Sequence, residues 1–469
     1  MTQERSGNHG RRSSRSGMSV GVVASAALAL AVVVPAAASP TAKVATASKT
    51  SPVPIINANT SMTMTEWNWD TAADSPDSAA ILPAVIKGFE KKYPHIKVAN
   101  TSMSLGEQTD KLPLAFATAS SAPTVSQTNE GFGSMGRLVT DKELMSLNAY
   151  NNHYHWAQRV GSLPLQINSF TSDGVNFGQG NVYGVPWSGA VVGVFYNKAI
   201  LAAAGAKPPT SWASFVNDLA LVHKAGKTVM SFAGGQPTEY QPEHDLQFLL
   251  DHYVSASSLN NWIFHKGANP TIDTKPAVQA AQTYVNWAKD GYLSAGYQGT
   301  GVTQALNLFD SGKAAFFIEG NWHIGAVQSA LGKKAGFWVP PTATGGTGEG
   351  WSIPAHSDSP AAAAAWIDWV VSPQVQAMQL KAGNIPVTAV SAKALASVPA
   401  MARSATVGWK QDVSNHQLVP FMDWAAPPLL NSIAAGVGEL LAGQTSPSAF
   451  IGSLQSQYSS WAATHYKKK

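Results

Sequence analysis

The sequence predicts an α/β protein of at least two lobes, and three observations carry that expectation. Met62-Thr63-Met64-Thr65-Glu66-Trp67 alternates in the strand period, gives way to helical spacing, and returns to a strand at Ile96-Lys97-Val98. This βαβ start implies parallel pairing. The same strand-then-helix alternation recurs along the chain. A length of 469 residues exceeds what one ordinary core holds.

The elements follow in order. Residues 39–61 are rich in Ser, Thr, Ala and Pro and read as a flexible leader. Asp77 or Ser78 can cap a helix with Leu82, Val85, Ile86 and Phe89 on one face, which Pro94 stops. Thr124 to Thr128 reads as a short buried strand. Val182-Tyr183-Gly184-Val185-Pro186-Trp187 reads as another, followed by a crossing at Ser188-Gly189-Ala190 and a second strand from Val191 to Tyr196. Pro208-Pro209-Thr210-Ser211-Trp212 leads into a helix capped by Ser211, with Trp212, Phe215, Leu219 and Val222 at helical spacing and an end near Gly226. Val229 to Phe232 is a strand. Thr274-Lys275-Pro276 opens a helix with Val278, Ala281, Val285 and Ala288 inward. Leu306 and Phe309 mark a short helix ended by Gly312, and Ala314 to Ile318 is a strand that stops at Glu319-Gly320-Asn321-Trp322. Trp351-Ser352-Ile353-Pro354 is a further short strand. Ala361 to Val371, 429–442 and 447–462 read as helices, and no regular internal repeat occurs.

Composition narrows the function. Charged residues make up 12%, against about 25% in ordinary soluble domains; an acidic habitat would account for it. The net charge of +4 is concentrated early, where Arg5, Arg11, Arg12 and Arg15 against Glu4 leave +3. No basic stripe follows, so nucleic acid is not an expected partner. Arginines before an apolar run from Met18 to Val34, then Pro35-Ala36-Ala37-Ala38-Ser39, predict a signal peptide over 1–38 cleaved after Ala38. The alternative is a retained anchor, for which this run is short. The chain has no cysteine, which excludes disulfides, thiolate catalysis, cysteine-based metal sites and a lipidated cysteine. An exported monomer is expected, extracellular or periplasmic, not lipid-anchored through cysteine.

From about Met62 onward the sequence resembles the family 1 extracellular solute-binding proteins, the maltose-binding-protein-like sugar receptors of ABC importers. The resemblance rests on motifs in the family's order: Glu66-Trp67-Asn68-Trp69; Phe89 to Val98; Ala115 to Pro123; the crossing at 182–198; Pro208 to Trp212; Phe309 to Trp322; and Ser359-Pro360 through Gln376. Departures include Ser121, Thr124 and Ala361, and Ser188-Gly189-Ala190 where some members carry an acidic ligand residue. The resemblance implies a two-lobed, type II-like periplasmic-binding-protein fold, each lobe a mainly parallel sheet flanked by helices, with the ligand cleft at the hinge. Lobe one would take 62–190 and 346–382, and lobe two 191–345 and 383–469. An ABC permease would be the partner, no cofactor would be needed, and the activity would be capture rather than catalysis.

Sugar recognition needs aromatic faces for pyranose C–H faces and planar polar groups for hydroxyls. Trp67, Trp69, Trp187, Trp322, Trp351 and Trp424 lie where strands end in turns and are the aromatic candidates; Trp322 also matches the family's stacking tryptophan. Trp212, Trp287, Trp366 and Trp369 lie at helical spacing among apolar residues and read as core. Polar candidates are Asp70, Glu130, Glu239, Tyr240 and Asp423, for each of which a solvated loop or a helix cap is the alternative. A phosphate ligand such as glycerol-3-phosphate would call for Arg or Lys, a polyamine for several acids. The candidates hold neither in excess, so a neutral sugar or polyol is expected. Gly131-x-Gly133-x-x-Gly136 fits a dinucleotide pattern but lacks the acid about 20 residues on, and reads as a loop at the cleft mouth. His153-Tyr154-His155 is too isolated for a metal site. An extracellular carbohydrate-active enzyme is the other functional class, because scattered carboxylates such as Glu130 and Glu239 could flank one sugar.

Overall fold

The computed structural model describes residues 53–72, 74–235 and 240–466. The expected signal peptide over 1–38 and the first part of the expected leader over 39–61 lie outside the described residues, and chain from Val53 to Ser61 carries no helix or strand. Among the described residues there are eleven strands: β1 (Met62–Asn68), β2 (Ile96–Ser102), β3 (Val125–Thr128), β4 (Ser169–Phe170), β5 (Asn181–Val182), β6 (Val185–Asn197), β7 (Thr228–Met230), β8 (Ala314–Gly320), β9 (Ala335–Trp338), β10 (Ala343–Ser352) and β11 (Leu418–Val419). All but β4 and β5 join one mixed sheet in the order β2-β1-β3-β10-β6-β8-β7, with β11 on β10 and β9 on β6.

The βαβ start forms as expected. β1 and β2 run parallel in register from Met62↔Ile96 to Asn68↔Ser102, linked by the helix Pro76–Lys92, which buries Leu82, Val85 and Phe89. Its expected cap differs. Ser75 takes the cap position, with Pro76 at the first helical position. Asp77 instead accepts a 2.8 Å bond from Gly325 N, at the start of the helix Ile324–Leu331. At the helix Trp212–Lys224 the cap is as read: Ser211 Oγ accepts from Ser214 N, and Ser214 Oγ accepts from Ser211 N. The helix Lys275–Lys289 is capped by Thr274. It buries Tyr284 and Trp287 as well as Ala281 and Val285, so its inward face is rotated from the expected one and Val278 and Ala288 are only half-buried.

The crossing is one strand, not two. β6 runs unbroken through Ser188-Gly189-Ala190 and changes neighbours midway. From Val185 to Val191 it pairs antiparallel with β10; from Val192 onward it pairs with β8 and β9. β10 was expected only from Trp351, because glycines are depleted in strands. It begins at Ala343 and runs through Gly345, Gly346, Gly348 and Gly350. Glycine is required there by close approach: a Cβ on Gly345 would meet the Ala190 carbonyl oxygen at 2.2 Å. A third strand-like contact, Gly189 N to Ile385 O at 2.7 Å, adds a further crossing segment. Three hydrophobic cores lie around these strands. One holds Phe89, Trp187, Trp351 and Trp366, a second Phe195, Phe317 and Trp409, and the third Phe215, Tyr284 and Trp287. Among the described residues no helix is long and apolar enough to cross a membrane.

Candidate functional site

A cleft of about 1020 Å³, open to solvent, lies over the place where β6 changes partners. Its walls come from strand ends and strand middles. The end of β1 supplies Trp69, the end of β3 supplies Asn129 and Glu130, and the end of β8 supplies Glu319, Asn321, Trp322 and His323. Ser188 to Ala190 of β6 and Thr347 and Gly348 of β10 form the floor. Tyr240, Glu243 and His244 come from the start of the helix Gln241–Tyr253, and Phe421, Asp423 and Trp424 from the turn around Met422–Ala425. Backbone atoms beyond the carboxyl ends of parallel strands are free of ladder bonds, which is why such sheets bind ligands there.

Each wall is held in place. Gln127 Oε1 accepts from Trp69 N at 2.9 Å while its Nε2 donates to Asp70 Oδ2 at 3.0 Å, which fixes the turn after β1. Glu130 Oε1 accepts from Thr347 Oγ1 at 2.7 Å. Asn321 Oδ1 accepts from Val191 N at 2.7 Å, which ties the end of β8 to β6 at its change of neighbours. Gly131 sits at φ +76°, and an added Cβ would lie 2.4 Å from Trp424 Cβ; Phe132 N donates to Trp424 O. The glycine pattern at 131–136 therefore seats the Trp424 turn against the Glu130 loop.

The polar lining is acidic. Asp74, Glu130, Glu243, Glu319 and Asp423 line the cleft, and none of the described lining residues is Lys or Arg. This corrects the expectation of no charge excess, because Asp74, Glu243 and Glu319 join Glu130 and Asp423 in the lining. Burial pushes the Glu243 carboxyl well above its usual range, and the nearby Asp423 charge adds to the rise. Burial likewise pushes Asp423 up to about 6, against a hydrogen bond from Glu243. Asp423 N also donates to Glu243 Oε1 at 3.1 Å. His244 Nδ1 meets Glu319 Oε2 at 2.5 Å, and His323 Nε2 lies 3.9 Å from Glu319 Oε1. Burial lowers the His323 imidazole, with Glu319 opposing. Burial raises the Tyr240 phenol, helped by Asp423 and Glu243.

The structure brings Trp69, Glu130, Tyr240, Trp322, Asp423 and Trp424 together in this cleft. It does not bring the others there. Trp187 and Trp351 are fully buried, edge to face at 5.9 Å, with Trp366 against Trp351 at 5.5 Å. Strand alternation turns both inward, and Trp187 contributes its carbonyl to Gln376 Nε2. Trp67 is half-buried against the core, Asp70 is buried under Gln127, and Glu239 lies outside the described residues. Sequence reading missed Glu243, His244, Glu319, His323 and Phe421. Glu319, Asn321 and His323 surround the tryptophan that was singled out, so the turn after β8 was the available signal.

Residues 72–377 match the model of the family described as bacterial extracellular solute-binding protein. The multiple sugar-binding protein of Streptococcus mutans is 24% identical over 255 residues, covering 53% of this chain and 56% of that one. The chain thus spans about half the length of that relative. A chitin oligosaccharide binding protein superposes with a TM-score of 0.73 at 18% identity, over 86% of this chain and 99% of that one. The GacH receptor of Streptomyces glaucescens superposes with a TM-score of 0.69 at 20% identity, over 86% and 99%. At these identities the structures establish a shared two-lobed fold.

Proposed function

The chain belongs to the bacterial extracellular solute-binding proteins, and from that premise we propose that it is the exported receptor of an ABC importer, capturing a carbohydrate in the cleft. One observation carries the reading. Trp69, Trp322 and Trp424, from segments far apart in sequence, converge on one cavity that also holds Asn129, Glu130, Tyr240, Glu319, Asn321 and Thr347. Tryptophan faces suit the apolar faces of a sugar ring, and carboxylates, Asn321 and Thr347 suit its hydroxyls. Trp69 and Glu130 would act from lobe one, over 62–190 and 346–382. Tyr240, Trp322, Asp423 and Trp424 would act from lobe two, over 191–345 and 383–469. The change of β6 partners after Val191 supports this division. Ligand contacts to both lobes exist together only in the closed form, so the ligand stabilises closure. A membrane permease is the receiving partner.

The reading is capture rather than turnover. Thermal unfolding in the presence of mono-, di- and oligosaccharides and polyols tests the proposal, since a ligand at a hundred times its Kd adds about 2.7 kcal/mol. A stabilising sugar that is recovered intact is the expected result. A hydrolysed sugar, or no response to any carbohydrate, overturns it.

A further inference from the structure

We propose that Asn168 is a positioning residue for ligand capture: through the Thr347 hydroxyl it fixes how the Glu130 carboxyl is held and makes that carboxyl an acceptor. The inference rests on the receptor reading, in which Glu130 meets the ligand, and adds to that site a residue outside the cleft. Glu130 and Thr347 line the cleft and Asn168 does not. All three side chains are buried, Asn168 completely. They form one chain of hydrogen bonds. Asn168 Nδ2 donates to Pro164 O at 3.0 Å and to Thr347 Oγ1 at 3.1 Å, and Thr347 Oγ1 donates to Glu130 Oε1 at 2.7 Å.

The direction of the chain is set at its far end. A backbone carbonyl only accepts, so Pro164 O fixes the Asn168 amide with its nitrogen towards that carbonyl. The nitrogen has one further proton, and Thr347 Oγ1 receives it. A hydroxyl has a single proton of its own, and with Asn168 donating to the oxygen, that proton goes to Glu130. Glu130 Oε1 is therefore unprotonated, and any proton the carboxyl takes lies on Oε2. The backbone around Asn168 is built to admit it. An added Cβ on Gly184 would lie 2.4 Å from Asn168 Oδ1, and one on Gly350 would lie 2.1 Å from the same atom and 3.4 Å from Glu130 Oε1. Two segments, the approach to β6 and β10 itself, thus give up a side chain where the relay passes. Asn168 also has a backbone duty after the helix Ser162–Ile167: its N–H donates to Leu165 O at 3.1 Å and its carbonyl accepts from Tyr183 N at 2.9 Å. Those bonds survive replacement of the side chain.

The test is a double-substitution cycle of Asn168→Leu and Thr347→Val in the full chain, with two readouts. Without ligand, carbon-13 NMR of the glutamate side chains follows the Glu130 carboxyl through a pH titration, its signal identified by loss in Glu130→Gln. Asn168→Leu should move that titration to higher pH, because the Thr347 hydroxyl is no longer constrained to donate to the ionised carboxyl. In the Thr347→Val background it should move nothing further. With ligand, calorimetric titration uses the tightest binder among maltose, cellobiose, xylobiose, N,N′-diacetylchitobiose and raffinose. Asn168→Leu should weaken binding roughly three- to tenfold, and should add no loss to Thr347→Val. Asn168→Ala, which removes the same donor, replaces Asn168→Leu if the latter does not fold. A carboxyl titration unmoved by Asn168→Leu, or a loss of affinity equal with and without the Thr347 hydroxyl, assigns Asn168 to structure alone; it overturns the inference and leaves the receptor reading standing. An unaltered chain that binds none of these sugars overturns the receptor reading and with it the role in capture.

Discussion

Trp322 shows what a single residue's sequence context can reveal. Its place after Gly320-Asn321 at a strand end pointed to a ligand, and it lines the cleft. Trp187 and Trp351 had similar context, and both are core. The difference is which side of the sheet each faces, and that depends on pairings with β3 and β10 that leave no local mark in sequence. The two groups should separate by experiment. Trp322→Ala should abolish sugar-induced stabilisation while the unliganded melting temperature changes little. Trp351→Ala should cost about 3–5 kcal/mol of stability while the folded fraction still binds. A stable Trp351→Ala protein that has lost binding would reverse the assignment. Glu243 and His244 could not be read as site residues, because the helix that carries them looks like any polar-edged helix until β8 and the 422–425 turn are brought against it.

At the scale of elements, helices and the βαβ start were legible because periodicity and caps are local. β10 was not, because four glycines hide a strand, two of them required by the closeness of β6 and two by Ile167, Trp424 and Asn168. These elements also position the site, so their substitutions should be felt in binding. Gly131→Ala forces a Cβ into Trp424 and holds a positive φ of +76°. It should cost on the order of 1–3 kcal/mol and weaken ligand binding through displacement of the Trp424 turn. Binding unchanged by titration would show that this turn is not needed. Asn321→Leu leaves the Val191 N–H at the crossing without its 2.7 Å acceptor. An expected loss of about 1–3 kcal/mol is measurable by denaturant unfolding, and an unchanged midpoint would remove Asn321 from the hinge.

Across the whole molecule, buried acids couple stability to pH. Burial pushes Glu66, Asp77 and Asp412 up to about 7 and Asp251 up to about 8. A carboxyl with a raised folded-state pKa favours folding below its unfolded value of about 4 and loses that contribution as pH rises through the folded value. Buried His323, lowered by desolvation, acts oppositely below about pH 6.5. With four raised carboxyls against one lowered imidazole, the melting temperature should fall from about pH 5 to about pH 8; a flat or rising one would contradict it. The central claim is that Trp69, Trp322, Trp424 and the carboxyls around them form one carbohydrate site. It is tested most directly by calorimetric titration of the protein and of Trp322→Ala with the sugar that stabilises it most. The account predicts one saturable site per chain, intact sugar afterwards, and at least tenfold weaker binding by the variant. Equal affinity in the two proteins, or consumption of the sugar, would contradict it.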